Sequence, residues 1–140
     1  MEGAELQEFI DRYNAAWNDH DVDAIVSMHT DDSVFENHTT GDVNIGKDAI
    51  AKAITGIFAV FPDLSFEARS QYVRDDLVVQ EWTATATHAN EMRRGDLVAE
   101  PTGKVVTWDG LDVIPFENGL VKRKDVYSDS VTILNALGLL

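Results

Sequence analysis

The apolar positions in the first part of the chain repeat at three- and four-residue steps, the period of one buried helix face. This period predicts helices over residues 4–20 and 47–61, with a shorter helix over residues 22–29 between them. Pro62 follows the third segment, at the point where a proline stops helix growth. We therefore expect three helices in the first half of the chain.

Elsewhere the pattern alternates, which is typical of strands with one buried face. Strands are predicted over residues 33–38, 64–73 and 77–89, and two more flank a turn at residues 117–119. Asp31-Asp32 is predicted to be a turn, residues 39–46 and 90–101 are predicted loops, and a short amphipathic segment from Ser130 closes the chain. Helices followed by antiparallel strands favour an α+β fold, with a curved antiparallel or mixed sheet wrapped around the N-terminal helices.

The bulk composition is that of a soluble globular domain. The chain has 140 residues, of which 44% are hydrophobic, so we expect one domain over residues 1–140. No apolar run approaches the roughly 20 residues that span a bilayer, and the acidic N-terminus is unlike a signal peptide. We expect a cytoplasmic protein.

The charge is strongly acidic, with 25 Asp and Glu against 11 Lys and Arg and a net charge of −14. Such a surface repels phosphate backbones and anionic lipids, so we expect neither nucleic acid nor membrane partners. Solubility is the simplest consequence of the excess.

Two acids lie in strands that otherwise carry apolar or basic residues: Asp112 in GLDVIPF and Asp125 in KRKDVYSD. An acid in a half-buried strand is costly unless it is paired, solvated or used in chemistry. For Asp112 three placements remain open. It lines a pocket where burial favours the protonated, hydrogen-bond-donating form, it faces solvent, or it pairs with a basic residue of the next strand.

One face of the long strand over residues 77–89 carries Trp82, Ala84, Ala86 and His88, because these positions share the period of two. This face predicts an apolar, aromatic wall with one imidazole. His88 is a candidate general base or orienting donor. The alternative is a partly exposed strand-end histidine whose ring is satisfied by neighbouring polar groups.

The sequence carries no strong metal or cofactor motif. HxH, HExxH and carboxylate-triad spacings are absent, and so are glycine-rich phosphate loops and a Gly-x-Ser-x-Gly elbow. The lack of cysteine excludes thiol nucleophiles and thiolate ligands. We expect neither a metal nor a cofactor.

Several segments in order resemble one family: YNAAWNDHDVDAIVSMHTDDSVFEN, GKDAIAKAITGIFAVFPDL, PTGKVV, FENGLVKRKDVYSD and ILNALG. Together they look like a SnoaL-like polyketide cyclase, within the superfamily of nuclear transport factor 2 and ketosteroid isomerase. This resemblance implies a cone-shaped, cystatin-like half-barrel with an apolar pocket at its open end. It also implies a homodimer.

The resemblance assigns possible roles to individual residues. Tyr13 matches a phenol that donates to a substrate oxyanion in ketosteroid isomerase, and Asp112 matches the protonated acid of that oxyanion hole. Asn37 stands where the isomerase has its proton-shuttling aspartate, and an amide cannot accept that proton. Tyr13 as a core packing group and Asn37 as a strand cap are the alternatives.

Asp125 lies close to the aspartate with which SnoaL-like cyclases are thought to move a proton on the substrate. An ungapped count from Gly119 places Val126, not Asp125, at the position of the catalytic acid in limonene epoxide hydrolase, a relative, and a slip of one residue exchanges the two faces of a strand. A β-bulge would restore Asp125. The sequence leaves this register open.

The predicted function is cofactor-free acid–base chemistry, of the cyclase or isomerase type, on a small apolar or aromatic carbonyl compound. The alternative is a module of the same fold that binds a small ligand or dimerises without catalysis. The predicted catalytic residues are Asp125, Asp112 and His88, and the predicted substrate-binding residues are Tyr13, Trp17, Asn37, Trp82 and Trp108.

Overall fold

The computed structural model describes residues 1–140 and contains four helices and eight strands. The helices are α1 (Gly3–Asn18), α2 (Val22–Ser27), α3 (Lys47–Val60) and α4 (Ser130–Ala136). The strands are β1 (His29–Asn37), β2 (Asp42–Ile45), β3 (Ser65–Arg74), β4 (Leu77–Thr87), β5 (Met92–Arg94), β6 (Leu97–Ala99), β7 (Val105–Glu117) and β8 (Leu120–Ser128).

Six strands form one curved mixed sheet in the order β2-β1-β8-β7-β4-β3, and β5 with β6 forms a separate hairpin. All neighbours in the large sheet are antiparallel except β1 and β8, which run parallel. The sheet does not close into a barrel, and the α+β prediction is confirmed. None of the helices has both the length and the apolar character that crossing a membrane requires.

Helix α1 forms because its apolar residues recur on one face, and that face is buried. Its buried residues are Leu6, Phe9, Ile10, Tyr13, Ala16 and Trp17. They join the inward residues of α3 and of the strands in one core of 26 buried residues. The helices therefore cover the inner face of the sheet, where burial of apolar area drives folding.

Three predicted irregular segments are in fact strands. Residues 42–45 form the edge strand β2, residues 92–94 and 97–99 form the β5–β6 hairpin, and Asp31-Asp32 lies within β1. Val43 and Ile45 are 52% and 67% exposed, so β2 buries no apolar face. A short exposed edge strand leaves no alternating pattern in the sequence, which explains why β2 was predicted as a loop, whereas Asp31 and Asp32 are two consecutive exposed acids inside β1.

Candidate functional site

An apolar cavity of about 230 Å³ lies between the inner face of the sheet and the helices. Its 19 lining residues come from α1, α3, α4 and five strands of the large sheet, with one from the β5–β6 hairpin and two from the α3–β3 connection, and 11 of them are hydrophobic. The aromatic part of the wall consists of Trp17, Phe35, Phe61, Phe66, Trp82 and Trp108. The cavity therefore suits an apolar, aromatic or polycyclic molecule.

The pairing of β4 with β7 builds one wall. Its register places Gln80 beside Asp112 and Trp82 beside Gly110, all on the inner face. The indole of Trp82 lies against Gly110 so closely that a Cβ on this glycine would overlap the ring. Gly110 was not among the predicted site residues, although a glycine inside a strand commonly marks such a close approach.

The buried end of the cavity carries an ion pair. Asp112 is 2% exposed and Lys124 is 6% exposed. Lys124 Nζ donates to Asp112 Oδ2 at 3.0 Å, and Gln80 Nε2 donates to the same oxygen at 3.0 Å. Asp112 Oδ1 has no hydrogen-bond partner in the protein. The pocket and the pairing with a basic residue of the next strand, two of the placements left open for Asp112, therefore occur together.

Neighbouring side chains fix this pair in place. The Nζ of Lys124 lies 4.9 Å from the ring centroid of Trp17 and 5.3 Å from that of Tyr13, within cation–π range. Asn14 exchanges two hydrogen bonds with Gln80, of 2.9 and 3.0 Å, which orients the amide that binds Asp112. Lys124 and Gln80 were not among the predicted site residues. The period of two that brings Val126 to the cavity also brings Lys124 there.

Tyr13 is fully buried behind the cavity wall and does not line the cavity, so its core-packing alternative describes its position. The Ser33 hydroxyl donates to the carbonyls of Val121 and Lys122, so its oxygen accepts from Nδ1 of His29 at 2.8 Å. The other ring nitrogen, Nε2, then accepts from the Tyr13 hydroxyl at 2.8 Å. In this chain of hydrogen bonds the Tyr13 hydroxyl donates its proton to a core histidine.

The pKa values of His29 and Tyr13 agree with a neutral state for both side chains. Burial, together with the positive charges of Lys124 and Lys47, lowers the pKa of His29 to about 3. Burial also raises the pKa of Tyr13 well above its usual range. Both groups are therefore uncharged near neutral pH, and Tyr13 and His29 act as a scaffold under the ion pair.

Asp125 does not point into the cavity, which corrects its expected placement. Val126 is paired with Asp112 of β7 and Asn37 of β1, and these three residues line the cavity. Asp125 is paired with Glu36 and lies on the outer face of the sheet. Successive residues of a strand face opposite sides, so only one of the two can line the cavity.

On the outer face Asp125 belongs to a charged cluster with Glu36, His38 and Arg123. Arg123 donates to Asp125 and to Glu36 at 2.9 Å, and His38 Nε2 lies 2.8 Å from Asp125 Oδ1. Burial alone would raise the pKa of Asp125, but the hydrogen bonds from Arg123 and His38 outweigh it and lower that pKa. Glu36, His38 and Asp125 bring one ligand atom each within 4.8 Å of one another. The guanidinium already occupies both carboxylates, where a metal would have to bind.

His88 is fully buried just beyond the end of β4 and does not line the cavity. Its Nδ1 accepts from the backbone N–H of Thr102 at 3.3 Å and lies 3.0 Å from the Thr102 hydroxyl. The imidazole is linked to the cavity only through Phe61, a lining residue whose ring centroid lies 6.2 Å from that of His88. His88 therefore lies at the strand end, as the alternative expected, but it is buried rather than partly exposed, and its Nε2 has no hydrogen-bond partner in the protein.

Four of the five predicted substrate-binding residues line the cavity: Trp17, Asn37, Trp82 and Trp108. Asn37 Oδ1 accepts from the backbone N–H groups of Thr39 and Thr40, at 3.0 and 3.2 Å, so it also caps the end of β1. Its Nδ2 makes no hydrogen bond within the protein and is free to donate to a ligand.

The fold and cavity define an α+β domain whose curved, open sheet and helices surround an apolar cavity with a buried acid–lysine pair. A protein-family model described as SnoaL-like polyketide cyclase matches residues 7–137, and the chain belongs to this family.

Solved structures share this fold. AclR of Streptomyces galilaeus, a candidate hydroxylase, is 27% identical with a TM-score of 0.85, over 99% of this chain and 88% of that one. IdmH of Streptomyces antibioticus, a candidate polyketide cyclase, is 22% identical with a TM-score of 0.78, over 94% of this chain and 97% of that one. A cystatin-fold protein of Novosphingobium aromaticivorans is 27% identical with a TM-score of 0.68, over 85% of this chain and 94% of that one. No curated protein matches the sequence.

Proposed function

We propose that the protein is an enzyme that moves a proton on an apolar carbonyl compound held in the cavity. The reaction is of the cyclase or isomerase type and uses no cofactor. The observation that carries this proposal is the carboxylate of Asp112, which lies in the wall of an apolar cavity with one oxygen held by Lys124 and the other unpartnered. Membership of the SnoaL-like family favours small-molecule chemistry in this cavity.

Each part of the site has a role in this chemistry. Asp112 Oδ1 accepts the proton from the carbon beside the substrate carbonyl, the C–H bond breaks, and its electron pair moves to the carbonyl oxygen. Lys124 supplies positive charge for the resulting enolate, and the Nδ2 group of Asn37 offers a further donor. In a site with few polar groups such charge stabilisation is stronger than in water.

The second half of the reaction returns the proton. In an isomerisation, protonated Asp112 gives its proton to another carbon of the enolate. In a ring closure, the enolate carbon attacks a second carbonyl of the same molecule, and the new alkoxide takes the proton from Asp112. The apolar wall contributes by holding the two reacting carbons close together.

The proposal is tested by hydrogen–deuterium exchange at the carbon beside the carbonyl, followed by NMR in D₂O, for a panel of benzo-fused bicyclic ketones that includes 2-tetralone. Wild type should accelerate exchange, and Asp112→Asn should lose about 10²–10⁴-fold of that rate. Asp125→Asn is the matched control, since its carboxylate lies outside the cavity, and it should keep the full rate. Equal rates in wild type and Asp112→Asn would remove the catalytic role.

The same experiment separates catalysis from binding alone. If a ketone raises the unfolding temperature and is recovered without deuterium, the cavity is a binding site and the alternative function holds.

A further inference from the structure

Arg94 is the one charged residue of the cavity wall that has no partner of opposite charge. No carboxylate oxygen lies within 4.0 Å of it, whereas Asp112 and Lys124, the other charged lining residues, neutralise each other. Arg94 Nη1 donates to Ser130 Oγ at 2.7 Å, and Nη2 lies 3.9 Å from the sulfur of Met92. A guanidinium has five N–H donors, so most of its capacity is unused.

Three other basic residues, Arg12, Lys52 and Lys104, also lack an ion-pair partner, but their side chains are exposed to solvent. Arg94 is half-buried, and its burial lowers its pKa, an effect that the negative charge of Asp42 partly offsets. Withdrawing a cation from water without a counter-charge costs free energy. A ligand that brings a negative charge to this position would remove that cost.

The position of Arg94 relative to the ion pair follows from β8. Lys124, Val126 and Ser128 line the cavity in succession, and Ser130, which binds Arg94, follows two residues later. At about 3.3 Å per residue, the Cα atoms of Lys124 and Ser128 are about 13 Å apart. Lys124 is buried while Ser128 and Arg94 are half-buried, so Arg94 lies at the accessible end of the cavity.

We propose that Arg94 binds a carboxylate at one end of an elongated aromatic or polycyclic substrate, whose reacting carbonyl lies at Lys124. This substrate class rests on the proposed function of the same cavity. A carboxylate is favoured because its two oxygens match the planar fork of a guanidinium, in a bidentate, charge-assisted pair. The aromatic wall between the two ends accounts for the body of the molecule.

Two probes of nearly equal shape test this assignment by isothermal titration calorimetry: biphenyl-4-carboxylate and the neutral 4-acetylbiphenyl. Wild type should bind the carboxylate about tenfold more tightly than the ketone. Arg94→Met should bind both probes alike, and Arg94→Lys should keep part of the preference. Lys104→Met is the matched control, because it removes one exposed positive charge outside the cavity, and it should keep the full preference.

Two results would overturn the proposal. One is that wild type shows no preference for the carboxylate, including the case in which neither probe binds. The other is that the preference survives in Arg94→Met and is lost in Lys124→Met, which would place the anion at the buried end. Proton exchange is measured separately, so a missing preference with intact exchange refutes the substrate class alone. A preference lost only in Arg94→Met, without any exchange, refutes the enzymatic function alone.

Discussion

The ion pair at the buried end of the cavity makes a strong prediction about stability. The side chains of Lys124 and Asp112 are 8% and 3% exposed, with 3.0 Å between Nζ and Oδ2. Lys124→Met leaves the Asp112 carboxylate buried with Gln80 as its one remaining donor. Removing one partner of a buried pair typically costs about 3–5 kcal/mol. This is a large part of the roughly 5–15 kcal/mol that stabilises a typical domain.

Lys122→Met is the matched control in the same strand. Lys122 pairs with Glu117 at 3.1 Å, but these side chains are 52% and 47% exposed. An exposed pair contributes about 0–1 kcal/mol. The two lysine substitutions should therefore differ several-fold in their effect on the free energy of unfolding.

The assay is urea unfolding at pH 7 followed by tryptophan fluorescence, since all three tryptophans line the cavity. Wild type, Lys124→Met, Asp112→Asn and the double variant form a thermodynamic cycle. The double variant should lose less stability than the sum of the two single variants, with a coupling of about 2 kcal/mol. A loss below about 1 kcal/mol for Lys124→Met, or additive losses, would show that water reaches the pair.

Three further predictions concern other parts of the molecule. Folded His29 has a pKa of about 3 against an ordinary 6.5, so it binds fewer protons than the unfolded chain between these values, and stability should fall as pH falls through this window. The free energy of unfolding changes by at most about 1.4 kcal/mol per pH unit through this group. Urea unfolding from pH 6.5 to 4 should show a smaller pH dependence in His29→Gln than in wild type. An unchanged pH dependence would contradict a neutral His29 in the folded protein. Asp125→Asn should cost about 1–2 kcal/mol in urea unfolding through lost charge-assisted hydrogen bonds, and a loss of bound ligand in calorimetry would show that it acts at the cavity. Gly110→Ala should displace Trp82, shift the tryptophan fluorescence and lower the free energy of unfolding by about 1–3 kcal/mol. Gly56→Ala is the control, because Gly56 has open space around it in α3, and it should raise the free energy of unfolding by up to about 1 kcal/mol. Equal effects of the two substitutions would refute the close approach of Trp82 to Gly110.

Much of the fold follows from periodicity alone. Every second residue of β4 faces inward, and all five of these inner residues are buried: Val78, Gln80, Trp82, Ala84 and Ala86. This regularity arises because one face of the strand must pack against the helices. Strand β2 has no such requirement at the sheet edge, so its position depends on pairing with β1, which the local sequence does not encode.

The candidate site was predictable only where one strand decides it. Trp82 follows from alternation within β4, whereas the cavity was one of three placements that the sequence left open for Asp112. To place Asp125, the register of β8 against its neighbouring strands must be known, because a shift of one residue moves a side chain from the cavity to the outer face. To place Arg94, the position of the three-residue strand β5 must be known, and no residue near Arg94 in the sequence indicates a cavity. The homodimer stays a prediction.

The alternation of β8 also sorts the charges of the site. Arg123 and Asp125 lie on the outer face and neutralise each other there, while Lys124 between them points inward and neutralises Asp112. The buried end of the cavity is therefore close to electroneutral, and Arg94 is left as the uncompensated charge at the accessible end. In the proposed reaction, the low polarity of the cavity strengthens the charge interactions that stabilise the enolate, and Arg94 orients the substrate from the accessible end of the cavity. This separation explains why Arg94 is expected to govern affinity while Asp112 governs rate.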